Sequence, residues 1–269
     1  MSLEYRTLQP SEFYLQHISV GVRPDGRGLA ERRPLSTSMG NIRTADGSSV
    51  VKLGSTTVVC GVKAELAPPK AEEPDVGYLI PNISLPPMCS SMYKPGPPSI
   101  EAQSTAQFLV TVLTTSGCVK PENLCIIPGK LVWVLYIDLV CLDYSGNVMD
   151  VAVTALTAAL KTVTLPEVSM DAETGEVRVS DIKRSKLEVK NSPVSSTFVV
   201  FKSLSDDPVL VSDPTTEEEQ LASSILTVVI AGGDVCHLHQ PGGQQISPTL
   251  MQQAIQLSST REKLVKGDI

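Results

Sequence analysis

The strongest constraint on this chain is the stretch of residues 125–161, where a long apolar run, a glycine-containing turn and an alanine-rich apolar segment follow without interruption. In the first part, Leu131, Trp133, Leu135, Ile137, Leu139 and Cys141 alternate with Val132, Val134, Tyr136, Asp138, Val140 and Leu142. Both faces of a strand built from these residues are mainly apolar, which predicts a strand inside a sheet covered on both sides. Asp143-Tyr144-Ser145-Gly146-Asn147 supplies residues that tolerate a tight turn or a left-handed backbone. From 148 to 160 the polar positions are Asp150, Thr154 and Thr157, which with Lys161 form one narrow helical stripe. The remaining faces are Val, Ala, Leu and Met, so the spacing predicts a nearly engulfed helix. Asp150 and Lys161 suit its dipole, and Pro166 prevents helix soon after.

A chain of 269 residues carries a length prior of about two domains and can bury about three quarters of its unfolded surface. Only 4% of it is aromatic, so the core has to be built from aliphatics and alanine. The net charge of −7 argues against nucleic-acid binding by bulk electrostatics, while leaving a local basic patch open. Cys60, Cys89, Cys118, Cys125, Cys141 and Cys236 include no Cys-x-x-Cys pair and are read as reduced thiols of an intracellular protein. No signal peptide is read before Arg23 and no apolar run has the length of a membrane span, so a soluble protein of cytosol or nucleus is expected.

Residues 1–22 read as a polar arm or short helix, with Phe13, Tyr14 and Ile18 as contacts. Arg23-Pro24-Asp25-Gly26-Arg27 is a turn signal. Six of the nine arginines (Arg6, Arg23, Arg27, Arg32, Arg33 and Arg43) precede residue 44 in an otherwise acidic chain. Two readings stay open for them: a solvated rim or inter-chain salt bridges, and direct phosphate contact. Residues 48–52 and 56–64 have hairpin patterning, and the proline-rich segment 66–99, with a strand expected at 80–85, carries enough large apolar residues to pack on something. Residues 99–115 predict a helix with Ile100, Ala106, Phe108, Leu109, Val112 and Leu113 as its apolar face, ended by Gly117. Residues 167–176 read as a turn-rich connection. Strands are expected at 194–201, 209–211, 223–231 and 235–240, then a helix opened by Ser247-Pro248. Strands followed by a helix, twice over, predict an α+β arrangement of two related halves.

Asp213-Pro214-Thr215-Thr216-Glu217-Glu218-Glu219 is the densest carboxylate cluster, open to reading as a solvated turn, a magnesium site or an acid–base pair. Cys236-His237-Leu238-His239 has metal-ligand residue types, but on a strand Cys236 points away from both histidines and no second cluster accompanies them. Lys130 follows Pro128-Gly129 without a Gly-x-x-x-x-Gly-Lys motif, and there is no Gly-x-Ser-x-Gly.

In order and spacing, however, several of these motifs resemble the RNase PH family: Arg23-Pro24-Asp25-Gly26-Arg27, Thr44-Ala45-Asp46-Gly47-Ser48, Lys52-Leu53-Gly54 and Thr56-Thr57-Val58-Val59-Cys60-Gly61-Val62-Lys63. Pro128-Gly129-Lys130-Leu131-Val132-Trp133-Val134, Asp138, Asp143-Tyr144-Ser145-Gly146-Asn147 and the cluster at 213–219 are similar to the exosome ring subunits, in the branch related to the archaeal non-catalytic subunit. The resemblance implies an RNase PH-like α+β fold of two β-α-β-type halves, like a ribosomal protein domain, in a single compact unit. The expected organisation is an arm at 1–30, a first half at 31–166, a connection at 167–190 and a second half with the C-terminal helix at 191–269. It implies a six-membered ring with other RNase PH-like exosome subunits, S1/KH cap subunits above it, RNA passing through the assembled pore, no membrane, and residence in nucleus, nucleolus and cytoplasm.

The resemblance does not carry activity with it. Catalytic members have a Glu-Glu-Asp run and a second aspartate six positions on; here Glu219 and Ile225 stand at those places. Residues 186–197 contain no arginine, leaving Ser192, Ser195 and Ser196 where catalytic members hold inorganic phosphate, and Ser104 and Phe108 stand where a helix offers arginines to RNA. The expectation is a non-catalytic structural subunit with no cofactor, no metal site and no phosphate site, and with Arg23, Arg27, Arg32, Arg33 and Arg43 as candidate RNA or subunit contacts. The alternatives are an active phosphate-dependent 3′-to-5′ exoribonuclease and a free RNA-binding module.

Overall fold

The computed structural model of the chain describes residues 7–170, 177–202 and 208–268. Helix α1 (Pro10–Ser19) leads into a sheet made from β1 (Leu35–Met39), β2 (Gly47–Leu53), β3 (Thr56–Ala67), β4 (Tyr78–Ser84), β5 (Cys125–Ile127) and β6 (Leu131–Asp143). The strand order is β1-β2-β3-β6-β4, with β5 paired to β6. Strand β4 runs parallel to β6, and the crossover between them is α2 (Ile100–Ser116), as a parallel pair requires. Ser99 caps α2 by accepting the Ala102 N–H, and Gly117 at φ +57° ends it in the left-handed conformation. Ile100 is 87% exposed, so it leaves the expected apolar face. As the first helical residue it lies before the turn that docks on β4.

On the inner side of the sheet Val58, Cys60 and Val62 oppose Cys141, Leu139 and Ile137, and all are buried. The outer side differs from expectation: Val132 and Val134 are buried, but Tyr136, Val140 and Leu142 are between 37% and 39% exposed, beside Ile80 on β4. Strand β6 is therefore flanked by strands on both edges but covered on only one face over most of its length. Both large helices of this half lie on the inner side.

Helix α3 (Val148–Thr162) is buried all round because it has a sheet on each side. Its backbone comes close enough to β2 for the Ser49 hydroxyl to donate to Ala155 O at 2.7 Å, an approach that its alanines permit. Its opposite side meets β9 (Val194–Lys202), where the Thr157 hydroxyl reaches Pro193 O. The polar stripe is thus buried against the second half. A hairpin of β7 (Thr164–Met170) and β8 (Val177–Lys186) joins the halves, so 167–170 is strand rather than the start of a turn-rich connection; the rest of that expectation, 171–176, lies outside the described residues.

The second half is a four-stranded antiparallel sheet, order β10-β9-β11-β12, built from β9, β10 (Pro208–Ser212), β11 (Ser224–Ala231) and β12 (Asp234–His239). Its Phe198, Val200, Leu226, Val228 and Ile230 pack against α5 (Pro248–Asp268) through Ala254. Val199, Phe201 and Val211 on the other face meet Ile18 of α1, so the arm contacts expected at Phe13, Tyr14 and Ile18 are buried ones. The short helix α4 (Thr216–Leu221) starts with a capping box in which Glu218 accepts the Thr215 N–H at 2.8 Å.

Candidate functional site at the joint of the two halves

Three carboxylates organise the joint. Asp150, at the start of α3, is wholly buried; it accepts from Asn147 Nδ2 at 3.0 Å, Thr197 N at 3.1 Å, Thr197 Oγ1 at 2.8 Å and Arg32 Nη1 at 3.2 Å, and pairs with Arg261 of α5. Burial alone would raise its pKa, but the charges of Arg261 and Arg32 outweigh it and hold the carboxyl below the ordinary aspartate value. Those same charges do not spare Arg32, whose guanidinium burial and the neighbouring Arg261 push down to about 10.

Asp213 follows β10 in a left-handed conformation, φ +50°, which turns its carboxylate back under the first half. There it accepts Arg33 N at 2.8 Å, Arg33 Nε at 2.9 Å, Arg33 Nη2 at 2.8 Å, Arg27 Nη1 at 3.1 Å and Asn147 Nδ2 at 2.7 Å. Burial opposes ionisation, and the bonds from Arg33 overcome it, so this carboxyl sits far below its usual range. Glu218 takes Arg23, whose Nε donates to Oε1 at 2.9 Å while Nη1 and Nη2 satisfy the carbonyls of Ser212 and Asp213. Neither sequence-based reading therefore describes four of the five candidate contact arginines. Arg23, Arg27, Arg32 and Arg33 are turned inward to carboxylates of the same chain, and only Arg43, on the loop between β1 and β2, is exposed. The cluster at 213–219 is correspondingly not a solvated turn, since Asp213 and Glu218 are buried. The missed signals were local: Thr215-x-x-Glu218 is a capping-box pattern, and six early arginines in an acidic chain need partners.

Glu219 faces the other way, into a cavity of about 460 Å³ between α2, the β6–α3 turn, β11 and the end of β12. Asn147, at φ +57°, directs its N–H onto Glu219 Oε1 at 2.7 Å, and the Tyr144 hydroxyl lies 3.0 Å from Oε2. That hydroxyl also lies 3.2 Å from Glu101, which accepts a second bond from Tyr93 at 2.9 Å. The single Tyr144 hydroxyl thus stands between two carboxylates, placed to donate to either Glu219 or Glu101. Burial pushes the Glu219 carboxyl up to about 7. Ile225 and Ser104 line the same cavity, and Phe108 is buried behind it against His237 and His239. The fold thus brings Glu219 and Ile225 together. Ser195 and Ser196 are buried in β9, Ser195 close to Met149 O, so they form no open cradle. Among the described residues no group of three or more His, Cys, Asp and Glu is placed to hold a metal ion, and the six thiols are free.

Residues 31–166 match the model of domain 1 of the 3′ exoribonuclease family and residues 191–261 match that of domain 2. With its two halves joined through one buried helix, the chain belongs to this RNase PH family. It is similar to the exosome complex component rrp43 of Schizosaccharomyces pombe, 35% identical over 96% of this chain and 94% of that protein. It is also similar to the exosome complex component Rrp42 of Pyrococcus furiosus, 36% identical over 81% of this chain and 76% of that one. A chain of the Archaeoglobus fulgidus exosome, solved with RNA bound to the active site, superposes with a TM-score of 0.83 at 29% identity, covering 96% of each chain. The expected RNase PH-like α+β fold is the observed one.

Proposed function

We propose that this protein is a non-catalytic structural subunit of the RNA exosome ring, supporting 3′-to-5′ RNA processing and degradation by stabilising the ring and the RNA path. The observation that carries the loss of catalysis is Ile225. It occupies the wall facing Glu219 where catalytic members of the family have their second aspartate, and no described residue lining that cavity is Lys or Arg. A phosphate anion placed there would face Glu101 and Glu219 with no cation to offset them. Membership of a ring rests on the named relatives, both exosome components, and on the RNase PH architecture.

Its partners in this reading are other RNase PH-like subunits in a six-membered ring, S1/KH cap subunits, and RNA reached only through the assembled pore. The compartments are nucleus, nucleolus and cytoplasm. The outward face of β4 and β6, where Ile80, Tyr136, Val140 and Leu142 stand exposed around Asp138, Asn82 and Ser84, is a mixed apolar and polar surface open to one neighbour. Co-expression with candidate RNase PH-like subunits followed by native mass measurement tests the assembly, and a stable lone monomer under those conditions overturns it. Incubation of the chain, alone and in the assembly, with 3′-tailed RNA and inorganic phosphate tests the chemistry. No shortening attributable to this chain is expected; phosphate-dependent shortening that disappears on Glu219→Ala would establish an exoribonuclease instead.

A further inference from the structure

Side chains from separate parts of the fold meet at the mouth of the cavity that holds Glu219. Tyr93 comes from the proline-rich segment, Glu101 from the first turn of α2, Tyr144 from the β6–α3 turn and Glu219 from α4. The Tyr144 hydroxyl stands 3.0 Å from Glu219 and 3.2 Å from Glu101, and the Tyr93 hydroxyl donates to the other oxygen of Glu101 at 2.9 Å. The Tyr93 and Tyr144 rings meet edge to face at 5.5 Å, which closes the circle of contacts. What this row can bond depends on its proton count, because a phenol carries one proton and an ionised carboxylate none. With Glu219 protonated, both the Glu219–Tyr144 and the Tyr144–Glu101 gaps are bridged by a hydrogen. With Glu219 ionised, the Tyr144 proton is left to serve both gaps, and one carboxylate faces the phenol oxygen with no hydrogen between them. Glu219 is the better enclosed of the two and also accepts the Asn147 N–H at 2.7 Å, whereas Glu101 is exposed and keeps Tyr93, so the gap that opens is the one at Glu101.

We propose that Glu219, Tyr144 and Glu101 form a proton-operated latch: with Glu219 protonated the first turn of α2 is tied to the β6–α3 turn, and with Glu219 ionised that tie is released and the mouth of the cavity, where Ile100 and Glu101 stand, loosens. The other ionisable groups around Glu219 are committed elsewhere. Arg33 is bound to Asp213, Asp150 to Arg261, Glu217 to Tyr14 and Glu218 to Arg23, which leaves His239, across the cavity, as the group whose titration has to be separated from that of Glu219. Burial, and to a lesser extent Glu101, hold the Glu219 carboxyl at about 7 against Asn147, Tyr144 and Arg33, so release is expected as pH rises through that value. The latch is complete within one chain, so it stands apart from membership of a ring.

Hydrogen–deuterium exchange of the full chain, followed by mass spectrometry across a pH series and corrected for the intrinsic pH dependence of amide exchange, tests it. In the wild-type chain, protection of residues 99–109 is expected to fall at least about tenfold between about pH 6 and pH 8.5, while β9 and α3 keep theirs and so report that the fold is intact. Glu219→Gln supplies a donor to Tyr144 that does not titrate and is expected to keep the high protection across the series. Tyr144→Phe, which removes the shared hydroxyl and leaves both carboxylates, is expected to show the low protection throughout. His239→Gln is expected to behave as the wild type does. Unchanged protection of residues 99–109 in the wild-type chain, a transition that survives in Glu219→Gln or Tyr144→Phe, or one that disappears in His239→Gln overturns the proposal.

Discussion

Asp213 receives donors from Arg27, Arg33 and Asn147, and since Arg27 keeps Asp25, its removal leaves the Arg33 guanidinium without its paired carboxylate in a largely buried space. Breaking a buried pair from one side costs about 3–5 kcal/mol, and Asp213→Ala is expected to lower stability by that order in urea unfolding. Its pKa is depressed in the folded state, so its contribution is present above the unfolded aspartate value of about 4 and is lost as pH falls towards the folded one. Glu219 has the opposite sign. Its carboxyl is raised to about 7, so the folded chain holds a proton that the unfolded chain has released, and stability declines as pH rises from about 4.5 through 7. Glu219→Gln removes that decline. Paired unfolding curves should show a difference of under about 1 kcal/mol between variant and wild type at pH 5 and an advantage to the variant on the order of 3 kcal/mol at pH 8. An unchanged difference across that range would count against a buried, proton-holding Glu219.

At the scale of elements, the turn between β6 and α3 is what holds the halves at their spacing. Gly146 has φ +87°, and a Cβ there would lie 2.5 Å from the Thr215 carbonyl carbon and the Thr216 nitrogen, both backbone atoms of the second half. Gly146→Ala should therefore cost about 1–2 kcal/mol for handedness alone, and more for the clash, measurable as a fall in the denaturation midpoint. The existence of α3 was legible in its periodicity, and so was its engulfment. The role of its polar stripe was not. A line of Asp150, Thr154 and Thr157 has the same spacing whether it meets water or Arg261, and only the docking of a second sheet distinguishes them. Alternation along β6 was equally legible, yet apolar residues on both faces do not say how many faces the chain itself covers.

For the whole molecule, that uncovered face is a prediction about assembly. Val140→Lys replaces an exposed apolar residue on β6, and surface changes of this kind usually stay within about 0.5 kcal/mol. The variant is expected to fold as the wild type does and to fail to join the ring in co-expression; normal incorporation would place the neighbour on a different surface. No helix among the described residues is long and apolar enough to cross a membrane.

The residues alone determined the local states of the chain and its two-half order, because periodicity, turn residues and motif spacing act over a few residues at a time; Glu219 and Ile225 were singled out by the resemblance to the RNase PH family. Only the tertiary structure decided what the early arginines do. Arg33 and Asp213 are 180 residues apart, and Arg23 and Glu218 are 195 apart. Nothing in the local spacing of either partner encodes the other, since a charge pair is made by the fold that brings it together. The same holds for the cavity, whose lining comes from α2, the β6–α3 turn, α4, β11 and the end of β12 and becomes one surface only when the two halves close on α3.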